Sequence, residues 1–149
     1  PSRGLGDVYK RQSRLYEFLY HLCRSYSHQI PSASLTGSQR DLQRVTHVMN
    51  WVKVHYPEPL SLETAADSLA LSKEYFCRLF KKYTGQTFLE YLNDVRTMHL
   101  YEDLQNSDET ITVLMEKNGL SNYKIFMRTF KKLYGSTPQK MRSNRIRHV

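Results

Sequence analysis

Cysteine is nearly absent: Cys23 and Cys77, far apart in the chain, are the two among 149 residues. They offer neither a disulfide framework nor a metal-ligand pair, and such usage suits a reducing cytoplasm. No apolar run approaches the roughly 20 residues of a membrane span, and no charged-then-apolar start marks a signal peptide. Catalytic signatures are missing too. There is no glycine-rich phosphate cradle and no H-E-x-x-H, and the six histidines are scattered. His21 stands two positions from Cys23 without a further ligand nearby, and His55, at a helix C-terminus, suits the local dipole better than a metal. No catalytic residue, metal or cofactor is expected.

Acidic residues are missing from one long segment. From Ser121 to Val149 stand Lys124, Arg128, Lys131, Lys132, Lys140, Arg142, Arg145 and Arg147, with no acid. From Ser72 to Lys82, Lys73, Arg78, Lys81 and Lys82 are set against Glu74 alone. Between these segments, Glu90, Asp94, Glu102, Asp103, Asp108, Glu109 and Glu116 outnumber Arg96 and Lys117. A solvated face of mixed sign would account for any one segment. Segregation repeated in register favours a polyanion-binding surface, within a net charge of +8 and a pI near 9.5.

What is present is an internal repeat, LSKEYFCRLFKKYTGQT from Leu71 to Thr87 and LSNYKIFMRTFKKLYGST from Leu120 to Thr137. At an offset of fifty, Phe76 aligns with Phe126, Arg78 with Arg128, Phe80 with Phe130, and Gly85 with Gly135. The spacing predicts two short helices with unlike faces. Tyr75, Phe76, Leu79, Phe80 and Tyr83 form the apolar stripe of the first. Ile125, Phe126, Phe130, Leu133 and Tyr134 form that of the second. A Gly after each helix fits a left-handed C-terminal residue, and a Thr two positions later can cap the next helix.

The length holds one ordinary domain or two very small ones, and 40% apolar content allows a modest core. Residues 1–12 read as a disordered lead-in whose native origin stays open. Residues 13–28 look helical and apolar on two sides, as for the last helix of another domain or one packed on the main domain. Residues 29–40, rich in Ser with Pro31 and Gly37, read as a linker. A helix is expected over Asp41–Tyr56, opened by a Ser38–Asp41 capping box and stopped by Pro57 and Pro59. Ser61 should cap a second short helix burying Leu62, Ala65, Ala66 and Leu69.

A short helix with Ala at its packing point, a tight turn, and a helix with a basic outer face is the logic of a helix-turn-helix. The copy adds a short helix over Ile111–Asn118 with Gly119 at its turn. Thr87–Asn106 joins the units, opened by a Thr87–Glu90 capping box, with Phe88, Tyr91, Leu92, Val95, Met98 and Leu100 as core contacts. About 20 residues span roughly 30 Å, close to the roughly 34 Å of a DNA turn. Two heads so held could read successive major grooves, and their rigidity would bend the DNA. Thr137-Pro138 opens a closing helix to about Ser143, followed by a basic tail over 144–149.

From Asp41 to Arg142, about two thirds of the chain, the sequence resembles the DNA-binding domain of AraC/XylS-type transcription regulators. LSLETAADSLALSKEYFCRLFKKYTGQTFLEYLNDVR and GLSNYKIFMRTFKKLYGSTPQKMR carry the resemblance. It implies an all-α fold of seven helices in two helix-turn-helix units joined by a long helix, preceded by an extra helix and linker. It also implies sequence-specific binding to an asymmetric promoter site of about two turns. Lys73, Glu74, Cys77, Arg78, Tyr123, Lys124, Met127 and Arg128 would be the base-contacting residues. Arg78 and Arg128 are the leading readers, because a guanidinium donates twice to guanine. Glu74 could accept from cytosine or pair with Arg78; Cys77 and Met127 could touch a thymine methyl or have no role. Ser72, Lys81, Lys82, Asn122, Lys131, Lys132 and Thr137 would contact phosphate. Leu114-Met115 and Leu120 depart from the pattern, which expects Ala at the second position and Phe at the third, so the second head could be tilted or less stable.

The resemblance further implies RNA polymerase as a partner, no membrane, and an effector bound by a sensor domain of which 13–28 is a remnant. The fragment would be a monomer, the full-length form plausibly a dimer, in the bacterial cytoplasm at the nucleoid. Rival readings are a basic module binding nucleic acid without specificity and the DNA-binding part of an enzyme. The first explains the charge but not two phased copies with matching punctuation.

Overall fold

The structure, a computed structural model, describes residues 36–146, with side chains as far as Ser143. The expectations for residues 1–35, with His21 and Cys23, and for the side chains of the basic tail lie outside the described residues. Seven helices follow in order: α1 Gly37–His55, α2 Leu62–Asp67, α3 Lys73–Thr84, α4 Phe88–Asn106, α5 Ile111–Lys117, α6 Tyr123–Tyr134 and α7 Pro138–Ile146. No strand occurs among the described residues.

Two boundaries differ from the sequence expectation. The first helix starts at Gly37 rather than Asp41, so 37–40 are helical and not linker. Its cap is Thr36, not Ser38. The Thr36 amide donates to Gln39 Oε1 at 2.9 Å, and the Gln39 amide donates to Thr36 Oγ1 at 3.4 Å. Glutamine at position 39 closes this reciprocal box with Thr36, one residue before the helix begins. The last helix runs to Ile146, past the expected end near Ser143.

Elsewhere the caps are those expected. Ser61 and Thr64 exchange bonds of 3.1 Å at the head of α2, and the Thr87 amide donates to Glu90 Oε2 at 2.8 Å at the head of α4. Thr137 Oγ1 accepts the Lys140 amide at 3.4 Å ahead of α7. Gly85 and Gly135 end the two repeat helices in the left-handed region, at φ +78° and +68°.

The residues from Arg44 onward form one compact unit containing two separate apolar cores. Val45, Val48 and Val52 of α1, Ala65 and Ala66 of α2, and Phe76, Leu79 and Phe80 of α3 make the first, with Phe88, Tyr91, Leu92 and Val95 of α4. Leu100 and Leu104 of α4 join Leu114, Met115, Leu120, Phe126 and Phe130 in the second. The bridging helix α4 thus serves one core with its first half and the other with its second. This corrects one expected contact: Met98 is 44% exposed, while Leu104 is fully buried in its stead. A single helical stripe would include Met98, but a helix facing two cores turns its apolar side midway. Thr97, fully buried, marks that point.

The repeat is also not uniform. Ala65-Ala66 and Leu114-Met115 are buried at equivalent places, forty-nine apart. The Leu71 amide bonds back to Ala66 O at 3.1 Å and that of Leu120 to Met115 O at 2.8 Å, at the same offset. Ala70 and Gly119 take the left-handed position in each turn, at φ +53° and +74°. From the N-caps Ser72 and Asn122 onward the offset is fifty. Ser121 is therefore an extra residue between turn and helix in the second unit. Met115, expected to strain this unit, is 93% buried within its core, with 7% exposed.

Gly119 is fixed twice over. A Cβ there would lie 2.7 Å from Pro57 O, whereas one at Gly85 meets nothing within 4 Å. Gly85→Ala should therefore lose only the left-handed cost of about 1–2 kcal/mol. Gly119→Ala should lose clearly more, because backbone rather than a flexible side chain must move. Denaturant midpoints of the two variants check this ordering; equal losses would show that the Pro57 contact is relaxed at no cost.

Candidate nucleic-acid interface

Each repeat helix is held by two phenylalanines four residues apart. Phe76 and Phe80, with centroids 5.6 Å apart, are fully buried under α3, and Phe126 and Phe130, 5.7 Å apart, under α6. Phe88 meets both rings of the first pair at 5.7 and 5.8 Å. Tyr101 and Tyr134 flank Phe130 at 6.1 and 4.8 Å and stack on each other at 4.2 Å. With these residues inward, helical geometry turns the charged ones outward.

The outward sets are close to those expected. Lys73, Glu74, Cys77, Arg78, Lys81 and Lys82 are exposed on α3, and Tyr123, Lys124, Arg128, Lys131 and Lys132 on α6. Met127 differs. It is half-buried against the second core, while its counterpart Cys77 is an exposed free thiol. No ion pair joins Glu74 to Arg78 among the described residues. Ser72 and Asn122 accept the amides of Tyr75 and Ile125 at 3.3 and 3.0 Å as N-caps. The Ser72 hydroxyl keeps its proton to donate elsewhere. Thr137 is half-buried, with its own capping bond.

Two of the lysines are already engaged. Lys73 Nζ lies 2.6 Å from Glu63 Oε1, both well exposed. The hydrogen bond from Lys73 lowers the Glu63 carboxyl below its ordinary pKa and raises that of Lys73. Lys132 Nζ lies 3.2 Å from Asp94 Oδ2, a carboxylate only 16% exposed on the side of α4. Neither acid was anticipated, because each meets its lysine across a turn or between helices. Arg78, Lys81, Lys124, Arg128 and Lys131 have no carboxylate within ion-pair distance among the described residues.

A further residue escaped the sequence reading, Arg96. It donates from Nε to Tyr56 O and from Nη2 to Glu58 O, both at 2.6 Å. Partial burial lowers its pKa from the usual guanidinium value. Its signal is that it is the one Lys or Arg of α4, four after Leu92 and eight after Phe88 on the buried register.

Several comparisons bear on this arrangement. A family model described as a helix-turn-helix domain matches residues 65–144. The transcriptional activator RhaS of Escherichia fergusonii is 31% identical over 111 residues, 74% of this chain and 40% of that protein. A transcriptional regulator from Chromobacterium violaceum, described as AraC-type, superposes with a TM-score of 0.62 at 25% identity, over 70% of this chain and 93% of its own. The DNA-binding domain of AdpA, solved with a target DNA, does so at 0.61 and 25%, over 67% and 90%. The chain spans two fifths or less of the length of the curated relatives it matches first.

Two helix-turn-helix units on one bridging helix, each with a basic outer face, define a DNA-binding domain of transcription regulators. The chain belongs to the AraC-type helix-turn-helix family. No described helix is long and apolar enough to cross a membrane.

Asp94 gives the interface a pH signature. Burial raises its pKa above the ordinary carboxyl value, outweighing the hydrogen bond and charge of Lys132. The folded state therefore binds a proton more readily than the unfolded chain, and stability falls as pH rises through that window. Asp94→Asn removes the effect, so unfolding free energies of variant and wild type should diverge in favour of Asn as pH rises from the ordinary carboxyl range through the raised pKa of Asp94. A constant or opposite difference would mean that Lys132 outweighs burial.

Proposed function

We propose that this domain is a sequence-specific reader of an asymmetric promoter site, with α3 and α6 in successive major grooves. The observation that carries this reading is the duplicated helix with phenylalanines inward and lysines and arginines outward, most of them without a carboxylate partner. α4 has 19 residues, a length of about 28 Å, which suits two heads one DNA turn apart. Arg78 and Arg128 are the exposed guanidinia at matching positions, and each can donate two bonds to guanine O6 and N7. Lys124, Tyr123, Glu74 and Cys77 flank them as further base contacts. Lys73 joins them once its bond to Glu63 exchanges for one to DNA, and Met127 contributes at most the edge of its side chain.

Lys81, Lys82 and Lys131 hold phosphate, with Ser72, Asn122 and Thr137 at helix starts beside them. Lys132 does so only in competition with Asp94. In the full-length protein we place a sensor domain, its effector and a dimer interface outside this domain. RNA polymerase is the partner at the promoter, in the bacterial cytoplasm.

Selection of bound duplexes from a random library at about 150 mM salt tests this reading directly. Wild type should yield a two-part motif of about two turns, and Arg78→Ala and Arg128→Ala should each relax one half, at about 1–3 kcal/mol. Lys131→Ala should lower the salt slope by about one, and Lys132→Ala by less. Binding without any motif would leave a non-specific basic module as the answer.

A further inference from the structure

The two apolar cores do not merge, so something other than apolar packing must hold one head in register with the other. One face of the bridging helix carries Arg96, His99 and Asp103, at positions i, i+3 and i+7. Arg96 bonds two carbonyls of the segment leaving α1, at Tyr56 and Glu58. The Tyr56 ring lies flat on the His99 ring, 4.1 Å between centroids and 7° between planes. All of these contacts belong to the first unit.

The second unit reaches the same face from the other side. Gly119 sits so close that a Cβ would stand 3.1 Å from Arg96 Nε and 2.7 Å from Pro57 O. Its neighbour Asn118, buried, donates to Asp103 Oδ2 at 2.9 Å, and Lys117 lies 3.3 Å from Asp103 Oδ1. The turn of one head thus rests on the guanidinium that clamps the other. Apolar contacts tolerate small rotations, whereas hydrogen bonds to carbonyls weaken steeply with angle. The angle between heads is therefore set where the directional contacts are.

We infer that Arg96 is a positioning residue that fixes the spacing of the two half-sites on DNA, through the Tyr56–Glu58 carbonyls below it and the Gly119 turn above it. The inference rests on the two-headed reading. One base-pair step moves a half-site by about 3.4 Å and turns it by about 34°. A joint that holds its angle rejects such a step. A joint without the clamp accepts it.

The test uses the full chain and duplexes carrying both wild-type half-motifs with the spacer shortened or lengthened by one base pair. Wild type should bind the altered spacers about tenfold or more weakly than the native one. Arg96→Met, which keeps the aliphatic stem, should compress that ratio to about threefold or less while both half-motifs are still selected. Arg96→Lys, with a charge but a single donor group for two carbonyls, should fall between and serves if the Met variant does not fold. If either folded variant binds all spacers more weakly by one common factor, Arg96 is a structural residue and the inference fails. If wild type selects no two-part motif, the reading of the preceding subsection has failed instead.

Discussion

Each repeat helix is twelve residues long, too short to hold its shape alone in water. It persists because two phenylalanines, one turn apart, are driven into a core. Burying such a ring stabilises by about 1.5–3 kcal/mol, and the pair supplies more than the helix's own propensity can. Everything functional on these helices depends on that anchoring. Lysines and arginines that repel one another in an isolated peptide are held at fixed angles around the axis, because the opposite side of the helix cannot leave its core. The polar caps refine the placement. Ser72 and Asn122 set where each helix begins, and Gly85 and Gly135 set where it stops.

The bridging helix solves a different problem. A helix that packs one continuous stripe would place both heads around one core, close together. By giving Val95 and earlier residues to one core, and Leu100 and Leu104 to the other, α4 separates the heads along its length. Separation weakens apolar coupling between them, and polar contacts of Arg96, Asp103 and Asp94 lie where the two units meet on α4. This division explains why a segment so rich in acids lies between two basic ones. Its carboxylates tie down lysines and an asparagine of the second head, at Asp94 with Lys132 and Asp103 with Lys117 and Asn118.

Local features were legible in the sequence, and distant ones were not. Helical periodicity, N-cap chemistry and the glycines after the repeats are written within a few residues of where they act. So the elements, their order and the phenylalanine anchors follow from inspection. The capping error at Ser38 is also local: Thr36 and Gln39 have the better chemistry, and the linker-like composition around them obscured it. Met98 lies on the apolar stripe yet faces outward, because the helix serves two cores and turns its apolar side midway. The pairs Glu63–Lys73 and Asp94–Lys132 could not be read at all, since they join residues ten and thirty-eight apart through the fold. Arg96 left a trace, a base on a buried register, but its partners are backbone carbonyls, which no side-chain pattern reveals.

The two heads, though copies, are not interchangeable. In the first, Ala65-Ala66 is buried in the core, and the N-cap Ser72 follows Leu71 directly. In the second, Leu114-Met115 fills the equivalent space, and Ser121 lengthens the path to α6. The turn itself is unchanged, because its left-handed residue and its back-bond to Ala66 or Met115 recur intact. Substituting the bulky pair alone would leave a void, and deleting Ser121 alone would pull the Asn122 cap off its helix. The bulkier pair and the added residue occur together in the second unit, so the two heads differ in the core contact and in the path from turn to repeat helix.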